Sequence, residues 1–193
     1  MYLSEVILNP SNPKARRDLK SANELHRTLC SGFPNGERPR VLFSVNRNAP
    51  RVLMLSKEEP DFSKGCSEGR VLRARAKPFQ PKVSEGQRLR FVLRANPTKK
   101  KDGKRLGLET PDQQTKWLLR KAEQHGFALE SFSIVESGVQ RTPRPNQSDM
   151  VHLYALYEGV LRVVEPESFR LALEQGIGSA KAFGFGMLMV RGG

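Results

Sequence analysis

Hydrophobic and polar residues alternate through most of this chain, and the stretches where the period lengthens to three or four mark its helices. Tyr2–Leu8 alternates as a strand and ends at Asn9-Pro10. Ser21-x-x-Glu24 has the form of a capping box, and Leu25 and Leu29 follow at helical spacing, which predicts a helix from Ser21. Val41–Val45 and Val52–Leu55 read as the arms of a hairpin around Asn46–Pro50. Residues 60–70 show no clear period, Val71–Lys77 reads as a further strand, and Pro78 and Pro81 predict a linker.

The order then repeats. Gln87–Ala95 is the clearest strand, with Leu89, Phe91 and Leu93 on one face and Arg88, Arg90 and Arg94 on the other. Thr110-Pro111-Asp112-Gln113 places a threonine cap, a proline and a glutamine where a helix start wants them, and Gly126 stops that helix after His125. Strands are expected near 128–137 and 150–163. A helix from Pro166 then sets Phe169, Ala172 and Leu173 on one face up to Gly176, and Phe183–Val190 reads as a closing strand. Both halves approximate β-α-β-β-α-β, the ferredoxin-like (RRM-like) unit. The expected class is therefore α+β, two tandem ferredoxin-like domains at 1–80 and 81–193, with the second helix of the first half the least marked element.

Charge changes the picture next. Lys and Arg number 33 against 20 Asp and Glu, a formal net charge of +13 over 193 residues, and the pI is near 10.2. Between Lys82 and Arg105 nine basic residues face only Glu85 and Asp102, a local net of +7. Clustering of this kind is the electrostatic footprint of a nucleic-acid binder. Cys30 and Cys66 are far apart without metal-ligand or disulfide spacing, so no metal and no cofactor is expected. The N-terminus lacks a basic, apolar leader, and no run approaches the ~18 apolar residues that span a bilayer. A cytoplasmic protein without a membrane partner is expected.

Three features carry chemistry. Alternate strand residues lie about 6.6 Å apart, near the spacing of successive phosphates, so Arg88, Arg90 and Arg94 either track a nucleic-acid backbone or form a solvated basic face. The adjoining Lys99, Lys100, Lys104 and Arg105 favour the first. Aromatic residues are scarce there, which points to the backbone of a structured RNA rather than stacked bases. Near the C-terminus, Gly176-Ile177-Gly178 and Gly184-Phe185-Gly186 bracket Lys181, a pattern that suits either a phosphate nest or a helix cap followed by a glycine-relaxed strand. Of three histidines, His125 ends a helix and His152 falls on a strand with an exposed side expected; His26 stands in the second turn of a helix, beside Arg27 and downstream of Arg16 and Arg17. Imidazole among cations suits RNA cleavage by 2′-hydroxyl attack, which removes one proton and returns another.

Several residues together resemble the CasE family, the repeat-processing endoribonucleases of type I-E CRISPR systems. They are Met1-Tyr2-Leu3-Ser4, Glu24-Leu25-His26-Arg27-Thr28-Leu29, Leu89-Arg90-Phe91-Val92-Leu93-Arg94-Ala95-Asn96-Pro97, Tyr157-Glu158-Gly159-Val160-Leu161, and the two terminal glycine steps. The resemblance implies a metal-independent cut at the 3′ base of a CRISPR repeat stem-loop, leaving 5′-hydroxyl and 2′,3′-cyclic phosphate (or opened 3′-phosphate) ends. It also implies that the enzyme stays on the mature crRNA with other Cascade subunits. His26 matches the catalytic histidine and Arg27 a basic RNA contact. The family's tyrosine three residues before the histidine is Asn23 here, which holds or orients but does not titrate. The loop Gly138–Pro145, with Arg141 and Arg144, sits where the family places a basic hairpin against the RNA stem. The alternative is a non-catalytic structured-RNA-binding subunit, and a generic ribosomal or translational RNA binder comes third.

Overall fold

In the computed structural model the described residues are 1–33, 40–46, 49–65, 69–144 and 147–192. The chain divides into two compact units, Met1–Gln80 with Lys181–Gly184 and Pro81–Ala180 with Phe185–Gly193. The first is built on β1 (Tyr2–Leu8), β2 (Leu42–Asn46), β3 (Arg51–Ser56) and β4 (Val71–Pro78), antiparallel in the order β2-β3-β1-β4. Alternation sends Ser4, Val6 and Leu8 to one fully buried face. Val6 and Leu8 share a core with Phe43, Val52 and Met54, closed by Ala15 of α1 (Pro13–Lys20) and by Leu25 and Leu29 of α2 (Ala22–Cys30).

Helix α1 is an addition to the expected elements, although its start signal is plain. The Asn12 side chain accepts from the amides of Lys14 (2.9 Å) and Ala15 (3.2 Å), and Pro13 follows at the first turn. Ser21 ends one helix and begins the next. Its N–H donates to the carbonyls of Arg17 (3.0 Å) and Asp18 (3.1 Å), while its Oγ accepts from Glu24 N (3.4 Å). With that N–H committed, the reciprocal half of the capping box does not form, and Glu24 binds Arg27 Nη1 at 2.8 Å instead. Below the joint, buried Thr28 donates to buried Asp18 Oδ2 (2.8 Å) and accepts from Arg70 Nη1 (3.2 Å), which locks α1, α2 and the entry to β4. The weakly marked second helix is α3 (Phe62–Gly65), a single turn that inserts Phe62 into the core.

The second unit has β5 (Arg88–Ala95), a two-stranded hairpin of β6 (Thr98–Lys101) and β7 (Lys104–Gly107), α4 (Pro111–Gln124), β8 (Phe127–Arg144), β9 (Gln147–Val163), α5 (Pro166–Gln175) and β10 (Leu188–Gly192). Its main sheet runs β10-β5-β9-β8, so β5, β8, β9 and β10 occupy the places of β1, β2, β3 and β4 in the first sheet. Both units are thus ferredoxin-like. Leu89, Phe91 and Leu93 pack with Trp117, Leu118, Phe169 and Leu173, and the buried Tyr157 hydroxyl donates to Gln114 O (3.1 Å). Burial raises the Tyr157 pKa and keeps that donor protonated.

Three boundaries differ from expectation. Strands β8 and β9 continue as one long hairpin through the stretch expected as a loop; register shifts at Leu129/Ser131, Ile134/Glu136 and Thr142/Arg144 interrupt the simple alternation that would have shown it. The closing strand begins at Leu188 rather than Phe183, because Lys181–Phe183 form a 3-10 turn and Gly184 and Gly186 take φ +79° and +85°. The β6–β7 hairpin is an addition, turned at Asp102 (φ +50°) and Gly103 (φ +74°), the Asp-Gly pair that suits a two-residue hairpin loop. Among the described residues no helix is long and apolar enough to cross a membrane.

Replacing Thr28 with valine leaves the buried Asp18 carboxylate short of its hydroxyl donor. A loss of about 1–3 kcal/mol is expected, read as a lower urea midpoint; a change under about 0.5 kcal/mol would contradict the bracing role.

Candidate active site and nucleic-acid interface

Helix α2 buries Leu25, Thr28 and Leu29, which leaves Asn23, His26 and Cys30 on a half-buried side and Arg27 exposed. The His26 ring centroid lies 6.2 Å from that of Phe43, tilted by 43°. Cys30 Sγ stands 3.8 Å from both Nδ1 and Nε2 of His26, so the thiol favours neither tautomer. Phe43 and Cys30 went unnoticed in the sequence. The i,i+4 spacing of His26 and Cys30 was visible, whereas the approach of β2 to the helix requires the fold.

The 3-10 turn at Lys181–Phe183 packs against α2 and β2, and this segment belongs to the same unit as His26 despite the sequence distance. Lys181 is half-buried there. Gly184 follows at φ +79°, where an added Cβ would lie 3.0 Å from Phe43 Cε2. The other glycines work within the second unit. Gly176 caps α5 through its amide to Ala172 O (2.8 Å), a Cβ on Gly178 would meet Trp117 at 3.0 Å, and the Gly186 amide donates to Arg94 O (2.7 Å). Gly184 N likewise donates to Lys181 O (3.1 Å). These amides serve the chain's own turns, so the loop contributes shape and the Lys181 cation more than a ring of free donors.

The cations expected to bind RNA fall into distinct settings. Arg16 reaches back to the carbonyls of Pro10 and Ser11 (3.1 Å each), and Arg17 is exposed in the last turn of α1. Arg88, Arg90 and Arg94 do share one face of β5, but not one role. Arg88 pairs with Glu130 (2.7 Å); Arg94 lies over the rings of Tyr154 (4.1 Å) and Phe185 (4.6 Å) and donates to Gln140 (2.9 Å); Arg90 is exposed. Lys99, Lys100, Lys104 and Arg105 all project from the β6–β7 hairpin and are exposed. Arg141 is exposed on β8 opposite Val151, and Arg144 takes the register opposite Gln147; Pro145, the end of the expected loop, lies outside the described residues.

His125 closes α4 as its C-cap, as a structural reading of it expects. His152 departs from expectation, being half-buried with its ring centroid 5.9 Å from that of Phe185; burial lowers its pKa. Among the described residues no group of three or more His, Cys, Asp or Glu is placed to hold a metal ion.

A histidine whose folded pKa is depressed favours the neutral ring in the native state, while the unfolded chain takes up its proton near pH ~6.5. Stability from this site is complete above that pH and is lost as pH falls below it. The thermal midpoint of the wild type should therefore drop between about pH 7 and 5 more steeply than that of His152→Leu; parallel curves would contradict the assignment.

Comparison with known proteins bears on the chain as a whole. The family model described as CRISPR associated protein matches residues 1–192. The CRISPR-associated endoribonuclease Cse3 of Thermus thermophilus is 36% identical over 210 residues, covering 98% of this chain and 99% of the relative. The Cascade subunit CasE of Escherichia coli (strain K12) is 29% identical over 206 residues, covering 97% and 98%. A structure of Thermus thermophilus Cse3 bound to an RNA representing a pre-cleavage complex superimposes with a TM-score of 0.87 at 36% identity, covering 98% of both chains. With a match over nearly its whole length and both ferredoxin-like units in place, the chain belongs to the CRISPR-associated protein family that includes Cse3 and CasE.

Proposed function

We propose that this protein is a metal-independent endoribonuclease that binds a CRISPR repeat stem-loop, cuts precursor CRISPR RNA at the 3′ base of the stem, and stays with the mature guide RNA in Cascade. The carrying observation is that Lys181, more than 150 residues away in sequence, folds onto the helix that presents His26. A titratable ring and a cation on elements that pack together, with Arg27 on the same helix as the ring, suit transesterification at phosphate. The ribose 2′-oxygen attacks the adjacent phosphorus as the P–O5′ bond breaks. One proton leaves the 2′-hydroxyl and another reaches the departing 5′-oxygen, and His26 serves one of these transfers. Lys181 and Arg27 offset the charge gathering on the phosphoryl oxygens. The products are a 5′-hydroxyl and a 2′,3′-cyclic phosphate, which water opens to a 3′-phosphate.

Asn23 stands one helical turn before His26 and bonds the scissile phosphate or steadies the ring without exchanging a proton. The β6–β7 hairpin, through Lys99, Lys100, Lys104 and Arg105, and the β8–β9 hairpin, through Arg141 and Arg144, grip the RNA backbone, with Arg16 and Arg17 adding charge beside α2. Arg88 and Arg94 act chiefly by holding the sheet and the base of the long hairpin. The protein acts in the cytoplasm.

Labelled repeat hairpin incubated in EDTA should be cut by the wild type. His26→Ala should lower the single-turnover rate by about 10²–10⁴-fold with RNA affinity within about twofold of wild type. Asn23→Ala should slow cutting without moving the pH–rate profile. A need for divalent metal, or undiminished cutting by His26→Ala, would end this mechanism; tight binding without cutting by the wild type would favour a purely guide-holding subunit.

A further inference from the structure

We propose that the open face of the second sheet is a subsite for one unpaired ribonucleotide flanking the hairpin, with Arg90 and Arg191 on its phosphate and an apolar floor under its base. This rests on the RNA-processing reading above, and it concerns a surface within the second unit alone.

The pairing registers lay that face out as a grid. Arg88 of β5 stands opposite Arg162 of β9, and both turn to Glu130, at 2.7 and 3.9 Å. Two residues along, Arg90 stands between Val160 of β9 and Arg191 of β10. Two further on, Val92 stands between Glu158 and Met189. Like charges directly opposite on neighbouring strands repel. Glu130 answers that repulsion for Arg88 and Arg162, but among the described residues no carboxylate lies within ion-pair distance of Arg90 or Arg191, and both are exposed. Two guanidinium groups held side by side without an acid form a ready phosphate clamp, since Arg offers paired donors in a fixed fork.

Beside that clamp lies an open depression of about 600 Å³, floored by Val92, Val160 and Met189, all half-buried. Small-ligand sites fall in a range of about 300–1,000 Å³. The far side is closed by Glu158, whose charge repels a second phosphate and whose oxygens accept from an exocyclic amino group. One phosphate at one end, an apolar floor and an acceptor at the other describe a single nucleotide, not a run of backbone. The base must offer its face to the floor, which a paired base inside a duplex does not do. Among the residues lining the depression the one aromatic is Phe91, whose side chain is buried on the opposite face of β5, which hides the site from a search for stacking residues.

Equilibrium binding of a blunt repeat hairpin and of the same hairpin carrying single-stranded flanks separates this subsite from the stem grip. The wild type should bind the flanked RNA more tightly than the blunt one. Arg191→Ala should lose about fivefold or more of affinity for flanked RNA, with its log–log salt slope reduced by about 0.7–1, and should keep wild-type affinity for the blunt hairpin and, at saturating protein, the wild-type single-turnover rate on flanked RNA. Arg191→Lys should retain most of the flank gain. Removing one of two opposed cations also predicts a thermal midpoint no lower than that of the wild type. The proposal is overturned if the flank confers no gain on the wild type, if Arg191→Ala keeps the whole gain, or if it weakens blunt and flanked RNA alike. Failure of the RNA-processing reading would instead appear as a wild type that neither binds the blunt hairpin nor cuts the flanked one.

Discussion

Lys181 reaches α2 only because the backbone around it turns through conformations that most side chains refuse. Positive φ occurs at Gly176, Gly178, Ala180, Gly184 and Gly186 in succession. The neck of this excursion is drawn together by Ile177 N donating to Gly186 O (2.8 Å), and Gly186 N in turn donates to Arg94 O on β5. A side chain on Gly186 would press its Cβ to 2.5 Å from Ile177 O, so the neck admits only glycine. Ala180 adopts φ +57° immediately before the lysine, at a cost of about 1–2 kcal/mol for a residue with a Cβ. This pattern of turns delivers the 3-10 turn that carries Lys181 onto α2.

A second constraint is the division of labour among the cations. Of 33 basic residues, several that look alike in sequence act structurally. Arg70 braces Thr28 and Asp18 under α2; Arg94 lies across Tyr154 and Phe185 at the root of the long hairpin; Arg88 and Arg162 share one carboxylate. Among the described residues, exposed cations include those on the β6–β7 hairpin and Arg90 and Arg191 on the second sheet. Net charge brings an anionic polymer to the protein at long range, and under the proposed function these exposed groups decide where it settles.

The strand pattern was legible because one buried face imposes a period of two: Leu89, Phe91 and Leu93 declared β5 outright, and the order of elements declared two ferredoxin-like units. Thr110 and Pro166 announced their helices through local chemistry alone. What failed to show was set by tertiary geometry. Bulges in β8 shifted the alternation, so a long hairpin read as a loop. Ser21 read as the start of one helix because its amide, committed to α1, leaves no mark in the sequence. His26 and Lys181 each stood out separately, His26 by its cationic neighbours and Lys181 by its glycines, but the packing of the Lys181 turn against α2, and of Phe43 beside His26, came only with the fold. The three arginines of β5 shared a face as the period required; which of them was engaged depended on Glu130, Tyr154 and Phe185, residues distant in sequence.

The most direct test replaces a single oxygen in the substrate. Repeat hairpin with a 2′-deoxy ribose at the nucleotide 5′ to the cut should bind the wild-type protein as tightly as all-ribose RNA and resist cleavage completely, since the attacking hydroxyl is gone. Cutting of that substrate at the same bond would mean that water attacks the phosphate, and the imidazole-centred account would be wrong.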